Sequence, residues 1–210
     1  MARYTGPVCR LCRRAGMKLF LKGERCFTPK CAVERRPTPP GASPSDRRRR
    51  KESEFSLQLK EKQKARNIYG ILERQFHKHF VHAERMPGVT GENLLRVLEM
   101  RLDNVVYRLG FANSRAQSRQ LVRHGHVAVA GKVVNLPSYL VEVGQVVSVA
   151  EPSRQLKTIT EAIELSQRRG TPPWILLERE QFQGSLRSLP ARADLTIPIS
   201  EKLIVEHYSK

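Results

Sequence analysis

Apolar residues recur along this chain with two different periods, and the switch between them marks its most structured stretch. Thr90 can N-cap a helix in which Leu94, Leu98, Leu102, Val105, Val106 and Leu109 return every three or four positions, and Gly110 ends the segment. Ser114-x-x-Gln117 has capping-box spacing and opens a second helix that closes at Gly125. Beyond it the period becomes two: Val127 and Val129, a turn at Gly131, Val133, Val141 and Val143 before Gly144, then Val147 and Val149. These positions predict the short strands of a small antiparallel sheet.

The flanks are mainly helical. From Ser53 the chain is rich in helix formers, with Glu52, Glu54 and Glu61 early and Lys60, Lys62, Lys64 and Arg66 later, as the helix dipole favours, and Gly70 stops it. Ile71 to Ala83 is a second helical stretch closed by Pro87-Gly88. Downstream, Ser153 to Arg169 carries an apolar side made of Leu156, Ile159, Ala162, Ile163 and Leu165, and Gly170-Thr171-Pro172-Pro173 ends it. Trp174 to Leu177 and Gly184 to Leu189 are strand candidates, Ser200 caps a last helix, and Trp174 reads as core and not as a base-stacking platform. The fold class is α+β.

Charge changes this picture, because it is unevenly placed. The 210 residues carry a net +18, of which residues 1–51 hold 15 Lys or Arg against 3 Asp or Glu. Charge concentrated in one arm is the footprint of a polyanion partner, and nucleic acid fits it. Apolar runs are only a few residues long, far short of a membrane span. The first eight residues have no apolar core or cleavage signal, so the cytoplasm is the expected compartment and the thiols are expected to be reduced.

The same arm holds every cysteine. Cys9-x2-Cys12, thirteen residues, then Cys26-x4-Cys31 is the spacing of two close thiolate pairs that can clamp one metal. Zinc suits four soft ligands, and an iron–sulfur cluster is the alternative. Four protein ligands leave no open position for water, so the site would be structural and would hold Arg10, Arg13, Arg14, Lys18, Lys22, Arg25 and Lys30 in place. Arg35 to Ser45 is Pro-rich and extended, and Arg47, Arg48, Arg49, Arg50 and Lys51 follow as a phosphate-contacting run. On the second helix of the αβ unit, Arg115, Arg119 and Arg123 fall at i, i+4 and i+8 on one face without interleaved acids. An anionic ligand would relieve that repulsion, and His124, His126 and Lys132 lie close enough in sequence to meet the same RNA surface. His77, His79 and His82 lack a partner Cys or carboxylate pattern and read as surface histidines. With no aromatic ladder, RNA shape and phosphates are expected to matter more than stacked single strands.

The run RLDNVVYRLGFANSRAQSRQLVRHGHVAVAGKVVNLPSYLVEVGQVVSV, Arg101 to Val149, resembles the RNA-binding module named after small-subunit ribosomal protein four. The flanks RY-x-GP-x-CRLCRR, LKGERC, EKQKARNIYGI, ERQF and EHYSK resemble that bacterial ribosomal family itself, and the cysteines place the resemblance in its zinc-containing branch. The resemblance implies a zinc-bound arm and linker over 1–45, a helical domain over 46–97 completed by a C-terminal helix at 199–210, and an inserted αβ domain over 98–198 containing the module at 101–150. It implies a non-enzymatic component of the small subunit that binds ribosomal RNA early, nucleates assembly, meets neighbouring small-subunit proteins and influences decoding accuracy. The residues expected on RNA are then Arg10, Arg13, Arg14, Lys22, Arg47 to Arg50, Lys51, Arg108, Ser114, Arg115, Gln117, Arg119, Arg123, His124, His126 and Lys132.

Two features depart from the family pattern. PPGASPS stands where the family often has a Gly-Gln-His-Gly stretch, and Ala130 precedes Gly131 where Asn is common, so a turn of another type is expected there. The rival classes are a pseudouridine-synthase-like RNA-modifying enzyme and a zinc-bearing nucleic-acid regulator. For the enzyme there is no nucleophile and base pair, no Gly-rich phosphate loop and no HExxH.

Overall fold

The computed structural model describes residues 3–41 and 52–209, and the cation run Arg47 to Lys51 lies outside the described residues. In chain order the elements are α1 (Cys9–Ala15), a 3-10 turn (Gly23–Phe27), α2 (Ala32–Arg35), α3 (Glu54–Tyr69), α4 (Glu73–Glu84), α5 (Thr90–Glu99), α6 (Leu102–Arg108) and α7 (Arg115–Arg123). There follow β1 (Val127–Val129), β2 (Lys132–Val133), β3 (Val146–Val149), α8 (Lys157–Ser166), β4 (Ile175–Glu178), β5 (Gln183–Leu186) and α9 (Glu201–Tyr208). They form two compact units, Met1–Gly91 with Ile197–Lys210, and Glu92–Thr196.

The first unit depends on well-made helix ends. Ser53 Oγ accepts the Ser56 N–H, and Gly70 takes φ 64 so that the Ile71 N–H turns back to Arg66 O at the end of α3. Ile68, Tyr69, Ile71, Phe76, Phe80 and Ile204 are buried here. Helix α9 packs on α3, and Gln58 Nε2 donates to Glu206 Oε2 at 3.2 Å. Ser200 occupies the N-cap position of α9, but its side chain makes no capping bond, unlike the sequence expectation. The Tyr208 ring lies 4.5 Å from Phe80, and its hydroxyl donates to Glu73 Oε1 at 2.7 Å. Lys62 Nζ reaches the same oxygen at 2.8 Å. Burial pushes the Glu73 carboxyl up, but the hydrogen bonds from Lys62 and Tyr208 and the charges of Lys62 and Arg66 outweigh it, so its pKa falls below the ordinary value. Burial, then the bond to Glu73, pushes the Tyr208 hydroxyl well up.

The second unit is built on an antiparallel sheet of order β2-β1-β3-β5-β4. Val127, Val129, Val147, Val149 and Leu186 form a core with Leu102, Val105, Val106 and Leu109, and Trp174 is buried in it. The strand candidates after Trp174 join this same sheet, so it extends past residue 150. Gly184 permits that close approach: a Cβ there would stand 2.3 Å from Leu109 Cδ2 and 2.7 Å from Leu176 O.

Three local expectations are corrected. The apolar stripe from Leu94 to Leu109 does not lie on one helix, because Arg101 is extended (φ −64, ψ 137) between α5 and α6. Its backbone forms an antiparallel bridge with Leu140, and its guanidinium is wholly buried. The predicted strand at Val141 and Val143 is absent as such: that stretch is drawn to the helix junction instead, with the Val141 N–H on Met100 O at 2.9 Å. At the β1–β2 turn, Ala130 and Gly131 both take positive φ, 47 and 77, which is the type I′ pattern despite the alanine. The matching right-handed twist of the strands outweighs the alanine's local cost.

Two outcomes test this account. Gly184→Ala should destabilise the chain by about 1–3 kcal/mol in chemical denaturation, since both neighbouring groups are packed and cannot retreat freely; a wild-type midpoint would contradict the close approach. For Glu73, a lowered folded pKa means stability present above the ordinary carboxylate range and lost as pH falls through the folded value. Thermal melts should therefore show a larger loss below about pH 4 for the wild type than for Glu73→Gln.

Candidate nucleic-acid interface

Helix α7 is fixed at both ends by local sequence. Ser114 Oγ accepts the Gln117 N–H at 3.3 Å, while Gln117 Oε1 accepts from the Asn113 N–H at 2.8 Å, a box displaced by one residue from the expected reciprocal pair. Gly125 takes φ 77 at the other end, letting the His126 N–H return to Leu121 O. Ser114 and Gln117 are thus occupied in capping. Ser118 Oγ donates to Asp103 O and ties α7 to α6.

The three arginines of α7 do not present one exposed face. Arg119 is 6% exposed, and its Nη1 lies 3.1 Å from Asp103 Oδ2. The same carboxylate receives Arg101 through Nε at 3.1 Å and Nη2 at 2.7 Å, and Arg101 is 0% exposed. The like-charge repulsion inferred from spacing along α7 is therefore relieved inside the protein, by an acid sixteen residues away on α6. Spacing within one helix could not reveal it.

A second buried carboxylate organises the next cations. Glu99 is fully buried and takes a two-pronged bond from Arg108, Nε to Oε2 at 2.9 Å and Nη2 to Oε1 at 2.8 Å. Asn104 Nδ2 donates to Glu99 Oε2 at 2.7 Å, and Asn104 Oδ1 accepts from Arg115 Nε at 2.7 Å. The Arg115 guanidinium lies over the Tyr107 ring at 4.6 Å, as does that of Arg169, which also donates to Ala112 O. Glu99, Arg101, Asp103, Asn104, Tyr107 and Arg169 escaped the sequence reading as site residues. The available signal was polar side chains, Glu99, Asp103 and Asn104, set among the apolar positions around Leu98 and Leu102.

Beside these networks, Arg123, His124 and Lys132 are exposed. His126 is half-buried, with Nδ1 2.8 Å from Ser153 Oγ, and the His124 and His126 rings are 6.0 Å apart. Arg123, His124 and Lys132 therefore carry the exposed cationic and imidazole groups of this part of the sheet edge, while Arg108 and Arg119 hold the scaffold together.

On the arm, α1 carries Cys9 and Cys12, the 3-10 turn carries Cys26, and Cys31 precedes α2. All four are free thiols, Cys12, Cys26 and Cys31 are buried, and all four border one small cavity. Burial, with the neighbouring cysteines adding to it, pushes the Cys12 and Cys26 thiols up. Among the described residues no group of three or more His, Cys, Asp or Glu side chains is drawn together as a formed metal site. Arg10, Arg14, Lys22, Arg25 and Lys30 are exposed around the cysteines. Arg13 Nε donates to Thr38 O at 2.9 Å, and Lys18 pairs with Glu34.

Among the described residues no helix is long and apolar enough to cross a membrane. The family model for the ribosomal protein S4/S9 N-terminal domain matches residues 3–99, and that for the S4 domain matches 100–147. Over all 210 residues, covering both chains completely, this chain is 57% identical to the small ribosomal subunit protein uS4 of Pelobacter propionicus and 58% identical to that of Citrifermentans bemidjiense. The protein of the same name from Halothermothrix orenii is 55% identical over the same full length. The matches run through the arm, the helical unit and the module alike, and the chain belongs to the uS4 family of small ribosomal subunit proteins.

Proposed function

We propose that this chain is a structural, non-enzymatic constituent of the small ribosomal subunit that binds ribosomal RNA directly. The observation that carries this reading is the pair of buried carboxylates, Asp103 and Glu99, which fix arginines beside an exposed basic stretch instead of lining a reaction pocket. A pseudouridine-synthase-like enzyme would need a catalytic aspartate in a pocket, and Asp103 is instead committed to guanidinium groups. Binding as part of the cytoplasmic ribosome, beside other small-subunit proteins, follows from family membership. Early nucleation of assembly and influence on decoding accuracy extend the same resemblance.

The proposed contacts differ in role. Arg115, Arg123, His124, His126 and Lys132 meet RNA from the α7–sheet side, and Arg10, Arg13, Arg14 and Lys22 meet it from the arm. Arg108 and Arg119 act by positioning, since each spends its guanidinium on a buried carboxylate. Arg47 to Lys51, outside the described residues, keep their reading as phosphate contacts on charge alone.

Zinc on the arm is part of this proposal. The donor chemistry fits: four thiols border one cavity, three of them buried. Cys9, Cys12, Cys26 and Cys31 would hold the ion as thiolates, and it would supply cross-linking of the arm and no chemistry on RNA.

Measurements on the basic surface, on its support and on the arm test the proposal. Arg123→Glu with Lys132→Glu should weaken binding to a small-subunit ribosomal RNA transcript and reduce the salt slope by roughly 1 per phosphate contact removed. Arg119→Ala should instead lower the melting temperature, because it removes one of the two guanidinium partners of a buried carboxylate that Arg101 still holds, a loss on the order of 1–3 kcal/mol. Equal salt slopes for wild type and the double variant would remove this surface from the interface. For the arm, elemental analysis should give one zinc per chain. Cys9→Ser with Cys12→Ser should abolish it and expose residues 1–45 to protease while the remainder resists; metal-free wild-type protein with an equally protected arm would defeat the zinc reading.

A further inference from the structure

We propose that Phe20 and Phe27, on the cysteine-bearing arm, form a stacking platform for one unpaired nucleobase of the RNA, an inference that rests on the RNA-binding reading above. The two rings are seven residues apart in sequence but lie against each other, with centroids 4.9 Å apart and an interplanar angle of 29°. They are 39% and 62% exposed. A single exposed apolar side chain is unremarkable, but a stacked aromatic pair presenting ring surface to water is a binding feature.

The backbone holds both rings outward. Leu19 is 3% exposed and Phe20, beside it, takes φ 52, a left-handed conformation that a bulky residue adopts only at a cost. Phe27 closes the 3-10 turn in which Cys26 is buried against the cysteine cavity, and the Lys22 N–H donates to Cys26 Sγ at 3.4 Å. Each phenylalanine thus has a neighbour anchored inward, and Phe27 shares its turn with the exposed Arg25, with the exposed Lys22 immediately before that turn.

That charge selects the occupant. Residues 3–41 contain ten Lys or Arg and two Glu, a surround suited to a polyanion and not to an apolar protein face. A nucleobase offers a π-face to the rings while its phosphates meet the lysine and arginine side chains. The expectation that RNA shape and phosphates matter more than stacked single strands rests on the absence of an aromatic ladder in the sequence; this pair arises only when the arm folds.

The test uses the full-length chain and a transcript of small-subunit ribosomal RNA. Phe27→Leu, which keeps apolar bulk and removes the aromatic face, should weaken binding by roughly 10-fold or more at fixed salt, with an unchanged salt slope. Phe27→Trp should bind like the wild type, and the fluorescence of the introduced tryptophan should be quenched by RNA, against a constant background from the buried Trp174. Wild-type affinity in Phe27→Leu, or unquenched emission in Phe27→Trp, would overturn the platform. Unchanged transcript affinity in Phe27→Leu with poorer incorporation into subunits reconstituted with other proteins would overturn it in favour of a protein contact. A wild-type chain that fails to bind the transcript would defeat the RNA-binding reading itself, and this inference with it.

Discussion

Taking a carboxylate out of water is among the most expensive things a small fold can do, and the second unit does it twice, at Glu99 and Asp103. Each burial is tolerable only because guanidinium and amide donors arrive with good geometry: Arg108 and Asn104 on Glu99, Arg101 and Arg119 on Asp103. The requirement then propagates. Arg101 must leave helical conformation to bury its head, which separates α5 from α6 and draws the Leu140 segment alongside. Arg119 must face α6, which fixes the rotation of α7 and hence the direction in which Arg123 leaves it. The exposed basic surface is positioned by an internal charge balance that never meets the ligand.

How much of this was legible in the sequence depends on the range of the interaction concerned. Helix ends at Ser53, Gly70, Ser114 and Gly125 were readable because capping is decided within a few residues. The valine alternation marked β1 and β3, whose valines Val127, Val129, Val147 and Val149 line the core. What the sequence could not display was pairing between distant side chains. Arg119 looked like one of three exposed cations until Asp103 came to it across sixteen residues. The stripe from Leu94 to Leu109 looked continuous, because the helical period survives the break at Arg101, which only the buried ion pair and the Leu140 bridge require.

The arm obeys different rules. With few apolar side chains it depends on its cysteine turns to hold direction, and the inward placement of Leu19 and Cys26 leaves Phe20 and Phe27 facing out. Spacing of the cysteines was plain in the sequence, whereas the juxtaposition of the two rings was invisible there, being a product of the fold between them. Family membership, with full-length relatives above half identity, fits a chain in which arm, helical unit and module are used together.

The tie between Tyr208 and Glu73 spans 135 residues, and every residue of the second unit lies in the interval. Because synthesis runs from the N-terminus, α3 and α4 leave the translating ribosome long before the helix that completes their packing. The sheet-bearing unit is contiguous in sequence, so the whole of it is synthesised before the eight-residue helix that α3 packs against. The unit begun first is therefore the last to have all its elements.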